Sequence, residues 1–578
     1  MNKLYFYEGS DKMEQETPSF FIQKITFKDG TIIELKKDDI VIFVGANNVG
    51  KSRTLKDIKD DIINESKNKK IISDIEYKAD NMTEKSIRNY FEKNFKKDMY
   101  NNYSVQLDYN NTYCFNEDNF QNIRNNEKNF FKVFFTMLST ENRLNITLPI
   151  LYNNINDYFR LNIMNSLESS DEKINRLNNF LIRDFGKAID VDQDSTQNTF
   201  SKMYKMGIED EIRETINSTR RLANRKLKEL ENLHEQGDGI RSAVAILAAL
   251  IVNEHSLFLI DEPEAFLHPP QARLLGNNIV ELSESKQFFV ATHNIDLIRG
   301  ILEKNSSRVK IIKINRDNNN NTIFELNNQD IEKIANDRNL KYTNILNGLF
   351  YSKVILCENE SDCKFYSAIL ENLNENLFQN SLFCAVGGKD QFKVIIPLLK
   401  SLKIDYTVIA DIDLINNIDK LKQLLNAIEK NKYDKIQKIH KRFLDEFQNK
   451  NDSLVKKQST IKEEINNLFT KEEYMSDETA RKIKGVLKNI NSLKLLKTGG
   501  RDILPQGSCV SDFNEIEKYL NLNNIYILDC GEIERLIPEI DLHGNAWVEG
   551  VFNKYSDINN AVFDKAKKFI KKVFNITN

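Results

Sequence analysis

The chain has 578 residues, more than one hydrophobic core accommodates, so two or three domains are expected. With 82 Lys and Arg against 85 Asp and Glu, its formal net charge of −3 excludes a globally basic protein, and any nucleic-acid surface must be local. Six scattered cysteines with no Cys-x-x-Cys pair exclude a disulfide framework and a thiolate zinc site; with no apolar leader and no run of eighteen apolar residues, a soluble protein of the reducing cytoplasm is expected.

Residues 20–44 read as strands, with a turn signal at Lys28-Asp29-Gly30. Ile40-Val-Ile-Phe-Val44 is a short buried strand that runs into a glycine loop, and a helix should follow from Ser52. From about 60 to 235 the sequence is polar and lysine-rich and is expected to be mostly helical, with one hairpin around Asn110-Asn111 and a charged helix over 215–234. This stretch reads as a helical spacer or dimerisation arm inserted between the two halves of the α/β core. Gly237-Asp-Gly239 should open the apolar helix Ile240 to Val252. Leu257 to Ile260 is a strand ending in Asp261-Glu262, and Phe288 to Thr292 is a strand ending at His293.

A second α/β unit begins near 351. Strands at Lys353–Cys357, Ser381–Val386 and Tyr406–Ala410, separated by helices, predict a parallel sheet. They end in Glu358, in Gly387-Gly388 and in Asp411-Ile-Asp413, and open α/β sheets place their sites at such carboxyl ends. Residues 416–498 carry 19 Lys or Arg against 12 Asp or Glu, with apolar residues at helical spacing. A projecting helical hairpin is expected there, either a solvated structural arm or one that guides nucleic acid. Ile525 to Leu528 should return to the sheet, followed by Gly531-Glu-Ile-Glu534.

Two constellations carry chemistry. Gly45-Ala-Asn47-Asn48-Val-Gly50-Lys51-Ser52 matches G-x-x-x-x-G-K-[ST] between a strand and a helix, where backbone amides at a helix N-terminus cradle phosphate. Lys51 should reach the β and γ phosphates and Ser52 should bind Mg2+. Asp261 is placed to position that metal, Glu262 to orient or deprotonate the attacking water, and His293 to touch the γ-phosphate. Glu358, Asp362, Asp411 and Asp413, at neighbouring strand ends, would repel one another without a hard divalent cation.

The ordered motifs at 45–52, 237–242, 257–270 and 290–294 resemble the ATP-binding-cassette heads of chromosome-maintenance and recombination-repair ATPases. In that family two heads sandwich two nucleotides, so the resemblance implies a homodimer or higher homo-oligomer. It also implies that Gly237 and Gly239 contact, through their amides, the nucleotide of the partner head. No counterpart of the family's glutamine loop stands out. Residues 351–414, resuming near 520, resemble the Toprim fold of topoisomerases, primases and a class of nucleases. Glu358, Asp411 and Asp413 match its acidic triad and Asp362 the acid four residues on, with Asn359 where most such sequences have Gly. Glu534 is a candidate further ligand for Mg2+ or Mn2+. Related two-metal nucleases use a late lysine, for which Lys389, Lys554 and Lys565 are candidates.

Together the two units, an ABC-type ATPase head over 1–350 and a Toprim domain over 351–578 with an insertion at about 416–500, resemble the OLD (overcoming lysogenisation defect) nucleases. Gabija-type and retron-associated anti-phage nucleases share that plan. The resemblance implies a defence nuclease that cuts DNA under ATP control; a helicase, a reverse transcriptase with its DNA product, and a phage protein are the partner alternatives that the residues leave open. An ATP-driven DNA clamp without cleavage and a nuclease acting on transfer RNA are the alternatives.

Overall fold

The computed structural model describes residues 17–63, 69–95, 97, 100–106, 112–121, 123–152, 163–168, 170–196, 199–216, 226–317, 320–327, 329, 344–451, 457–469, 475–487 and 492–576. The chain divides into two compact units, residues 1–332 and 333–578.

The first unit opens with β1 (Ser19–Phe27), β2 (Ile32–Glu34), β3 (Ile40–Val44) and β4 (Ile72–Asp80), of which β2, β1 and β4 make a small antiparallel sheet. All five residues of β3 are buried, as its unbroken apolar run requires. A hairpin of β5 (Tyr103–Gln106) and β6 (Thr112–Phe115) follows, with its turn outside the described residues. Then come β7 (Phe135–Leu138), β8 (Ile150–Tyr152), β9 (Lys187–Thr196), β10 (Thr199–Ile208) and β11 (Glu231–Asn232). The unit closes with β12 (Leu257–Asp261), β13 (Gln287–Ala291), β14 (Val309–Asp317) and β15 (Asn320–Leu326). The main sheet has the order β15-β14-β3-β13-β12-β7, parallel except for the antiparallel edge strand β15.

The segment 60–235 is mixed α/β rather than mostly helical. β7 belongs to the main sheet, paired in parallel with β12, so the core resumes inside the expected insertion. β9 and β10 pair over ten residues each, and β9 carries only Ile189 and Val191 as branched apolar side chains. A long local hairpin satisfies its backbone by sequence-adjacent pairing and needs little hydrophobic patterning to announce it. Of the helix expected over 215–234, residues 217–225 lie outside the described residues, while Glu231–Glu235 form a short strand and a 3-10 turn.

In the second unit β16 (Lys353–Cys357), β17 (Ser381–Ala385), β18 (Tyr406–Asp411) and β19 (Ile525–Leu528) form an all-parallel sheet in the order β17-β16-β18-β19. One face is covered by Phe365 and Tyr366 of the helix Glu360–Leu373, by Trp547, and by Phe569 and Ile570 of the helix Asp564–Phe574. The insertion at 416–498 is not a single projecting hairpin. Leu421, Leu424, Leu425 and Ile428 of the helix Ile418–Ile428 are buried, and Phe443 of the next helix packs on Phe513, 6.1 Å between ring centroids. The apolar spacing read as a hairpin seam serves instead to dock these helices on the unit. The helices Gln458–Asn466 and Asp477–Val486 bury no residue.

Candidate nucleotide and metal sites

The main sheet explains the nucleotide site. β3 and β12 flank β13, so their carboxyl ends face one another across a single strand. Gly45 turns at φ 148, and a Cβ there would lie 2.2 Å from the Ile314 carbonyl oxygen of β14, so only glycine lets the loop leave β3 at that point. The helix Lys51–Ile62 then begins with Gly50 as its cap. Lys51 is buried, and its Nζ donates to the Gly45 and Ala46 carbonyls at 2.9 Å each. Burial lowers its pKa, opposed by Glu262, Glu264 and Asp261. Ser52 Oγ donates to Asp261 Oδ1 at 2.8 Å.

Glu262 adopts a left-handed backbone, φ 47, and its N–H donates to the Ala291 carbonyl at 2.8 Å. His293, at the end of β13, has Nδ1 3.5 Å from Glu262 Oε1 and 3.3 Å from Glu264 Oε1. Asp261, Glu262 and His293 therefore meet beside Lys51 and Ser52. Gly237 caps the helix Asp238–Val252, and Gly239 packs so closely on the segment after the carboxylates that a Cβ would stand 2.4 Å from the Phe266 carbonyl oxygen.

Two residues of this site have no sequence signal of their own. Glu264 is buried inside the motif that supplied Asp261 and Glu262. Its Oε1 accepts from Thr292 Oγ1 at 2.7 Å and from the His293 N–H at 3.0 Å, which ties the end of β13 to the carboxylate turn. Burial raises its pKa. Arg143 comes from the helix Thr140–Ile146, just after β7, and no motif marks it.

In the second unit Glu358, Asp411 and Asp413 bring one carboxylate oxygen each within 4.8 Å of one another. Glu358 is buried and its Oε1 accepts from the Asp411 N–H at 3.1 Å. Burial, then the neighbouring Glu358, pushes the Asp411 carboxyl up to about 7. Asp362 does not join this group: its Oδ2 accepts from the Asn359 N–H at 3.0 Å and closes a capping box on the helix Glu360–Leu373. Glu534 falls in a second group with Glu532 and His543, again within 4.8 Å.

Of the lysine candidates, Lys389 is the one that reaches the triad. Its Nζ contacts Asp413 Oδ1 and lies 3.6 Å from Glu358 Oε1. Lys554 pairs with Glu539 at 3.2 Å instead, and Lys565 lies on the last helix. Lys497, from the end of the insertion, was not foreseen. Its Nζ is 3.9 Å from Asp411 Oδ2 and 3.6 Å from Glu532 Oε2, and its backbone approaches so closely that a Cβ on Gly531 would meet the Lys497 carbonyl oxygen at 2.3 Å. The donor set at the triad, three hard oxygens in partial burial, fits a divalent cation such as Mg2+ or Mn2+.

A phosphate-binding loop on one parallel sheet and a carboxylate cluster on another define a P-loop ATPase joined to a TOPRIM domain. Comparison with known proteins agrees. Residues 40–299 match the AAA_21 family, an AAA domain described in connection with the AbiEii toxin and Type IV TA systems. Residues 349–413 match the Overcoming lysogenization defect protein-like TOPRIM domain. The Old nuclease of Escherichia phage P2 is 25% identical over 173 residues, which are 28% of this chain and 29% of that protein, so the match spans less than a third of that relative. Among solved structures, an Smc head bound to the C-winged helix domain of ScpA aligns at 13% identity and a TM-score of 0.33, covering 54% of this chain and 100% of that one. MJ1267, an ATP-binding cassette of an ABC transporter in its ADP conformation, aligns at 14% identity and a TM-score of 0.24, covering 56% and 97%. An AAA-type ATPase domain and an OLD-like TOPRIM domain thus follow one another along the chain. Among the described residues no helix is long and apolar enough to cross a membrane.

Proposed function

We propose that this chain is an ATP-regulated, divalent-metal-dependent endonuclease that cuts DNA and serves as a cytoplasmic anti-phage defence effector. The observation that carries this reading is the meeting of Glu358, Asp411 and Asp413 within 4.8 Å at the carboxyl ends of β16 and β18. Bound divalent metal would supply an activated water and stabilise the leaving oxygen of a phosphodiester. The chain's own residues hold and orient: Glu358, Asp411, Asp413 and Glu534 as ligands, Asp362 by fixing the first turn of its helix, and Lys389 and Lys497 by balancing charge where a phosphate would enter.

In this reading the ATPase domain spans 1–350 and the nuclease domain 351–578. Gly45, Asn47, Asn48, Gly50 and Lys51 hold the nucleotide phosphates, and Ser52 and Asp261 hold the accompanying Mg2+. Glu262 takes the proton of the attacking water and His293 touches the γ-phosphate. Gly237 and Gly239 contact the nucleotide of a second protomer, so ATP sets the state of a homodimer or higher homo-oligomer. Metal-dependent phosphodiester hydrolysis needs no nucleotide energy, and ATP acts as the regulator. A helicase, or a reverse transcriptase with its DNA product, would be the trigger.

Purified protein incubated with plasmid DNA and Mg2+ or Mn2+, with and without ATP, tests the reading. Nicked or linear product that disappears with chelator is expected. Its absence with every nucleotide and partner combination, or cleavage of RNA alone, would sink the DNA-nuclease reading.

A further inference from the structure

We infer that Arg143 is a positioning residue that couples the glycine turn Gly237–Gly239 to the Asp261–Glu262 turn. The inference rests on reading the glycine loop as an ATP-hydrolysing site and names how that site is set. Arg143 is fully buried. Its guanidinium carries five N–H donors in a fixed plane, and five acceptors meet them. Nε donates to Ser242 Oγ at 2.9 Å, Nη1 to the Leu138 carbonyl at 3.0 Å and the Asp261 carbonyl at 2.6 Å, and Nη2 to the Glu262 carbonyl at 2.9 Å and Thr140 Oγ1 at 3.4 Å.

None of these acceptors is a carboxylate. A buried cation held only by neutral oxygens is costly. Burial accordingly lowers the Arg143 pKa to about 10, while Glu264, Asp261 and Glu262 raise it from a distance. Its field falls on the three carboxylates of the nucleotide site.

The geometry points the same way. Glu262 sits in a left-handed conformation that a side-chain-bearing residue rarely keeps unaided. Its peptides are pinned on both sides: the Glu262 N–H donates to Ala291, and the Asp261 and Glu262 carbonyls both accept from Arg143. The other end of the clamp, Ser242, lies one turn into the helix Asp238–Val252 that Gly237 caps. Arg241 of that helix reaches back, donating to the Leu144 carbonyl at 3.0 Å and Thr147 Oγ1 at 3.1 Å at the end of the helix that bears Arg143. Two arginines thus cross-link the two helices reciprocally. A shift of the glycine turn on meeting a nucleotide moves Ser242, and Arg143 carries that shift to the carbonyls that orient Asp261 and Glu262.

The test compares full-length wild type, Arg143→Lys and Ser242→Ala for Mg2+-ATP affinity, using a fluorescent ATP analogue, and for steady-state ATP turnover. Arg143→Lys keeps a charge but cannot span both carbonyls and Ser242. It should hold nucleotide affinity within about threefold while kcat falls about tenfold or more. Ser242→Ala removes one hydroxyl and should lower kcat by about threefold at unchanged affinity. The inference is overturned if Ser242→Ala keeps kcat within about twofold of wild type, or if Arg143→Lys either turns over at the wild-type rate or loses affinity and kcat in parallel. If the wild-type chain itself shows no ATP turnover, the failure lies with the nucleotide-site reading.

Discussion

Ser52 Oγ donates to Asp261 Oδ1 across 2.8 Å although 209 residues separate them in sequence. The pair closes the gap between β3 and β12, and under the proposed function these two side chains would hold the Mg2+ of a bound nucleotide. Burial raises the Asp261 pKa, and the Ser52 hydroxyl opposes part of that rise. Asp261→Asn keeps the shape and removes the charge. It should erase the Mg2+-dependent part of ATP affinity and lower turnover by about a hundredfold or more. Titration with a fluorescent ATP analogue, with and without Mg2+, checks this. Affinity that stays Mg2+-dependent in Asp261→Asn would exclude the assigned role.

Both sites were legible where chemistry sits at strand ends. Ile40 to Val44 and Leu257 to Asp261 are short apolar runs that end in a glycine loop or in acids, and a buried parallel strand has few other ways to look. The same holds for β16, β18 and β19. Strand β7 was missed although it ends the apolar run Phe130 to Leu138, because periodicity alone does not tell such a buried run from a buried helix segment. Arg143 and Lys497 were missed for a related reason. Each enters its site from a segment without a motif, through contacts spanning about a hundred residues (Arg143 to Asp261 and Ser242) or set by the close approach of Lys497 to Gly531. Lys389 stood among three unranked lysines because reach depends on the loop after β17, which spacing alone does not give.

In the second unit the triad predicts a separation of activities. Asp411→Ala should abolish metal-dependent cleavage and leave ATP binding unchanged, because no residue of the phosphate loop is touched. Lys389→Ala should lower cleavage about tenfold or more, since its ammonium lies 3.6 Å from Glu358 and against Asp413. Lys554→Ala removes an exposed pair with Glu539 and a contact over the Tyr555 ring, and should leave cleavage near the wild-type rate. A plasmid-nicking time course ranks the three. Equal loss in Lys389→Ala and Lys554→Ala would contradict the geometry.

Lys286 predicts a pH dependence of stability. Burial lowers its folded pKa to about 8 from 10.5. Between those two values the unfolded chain still binds the proton that the folded chain has shed. The unfolded state then holds more protons, so stability rises as pH increases from about 8 to 10.5. Lys286→Met removes the group and should flatten that rise. Urea unfolding at pH 7.5, 9 and 10 checks the slope, with the same rise in both proteins as the contrary outcome.

Gly300 sits where the helices Pro269–Glu281 and Ile295–Lys304 cross, and the contact is backbone on backbone. A Cβ at Gly300 would stand 2.0 Å from the Arg273 carbonyl oxygen, and one at Gly276 would stand 2.4 Å from that of Leu297. Alanine gains about 1 kcal/mol of helix propensity over glycine. Here the gain is outweighed, because no flexible side chain can yield and the helices must separate, an overpacking cost of about 1–3 kcal/mol or more. Gly300→Ala should therefore lower the melting temperature by several degrees. Gly485, in the helix Asp477–Val486, has nothing within 4 Å of its Cβ position, so Gly485→Ala should not destabilise. The crossing also matters to the nucleotide site. The helix Ile295–Lys304 starts two residues after His293, so separating the helices should lengthen the 3.3 Å contact from His293 to Glu264 and slow ATP turnover. Thermal melts and turnover of Gly300→Ala, with Gly485→Ala as control, decide it. A Gly300→Ala protein as stable and as active as wild type would mean that the helix crossing bears neither on the fold nor on His293.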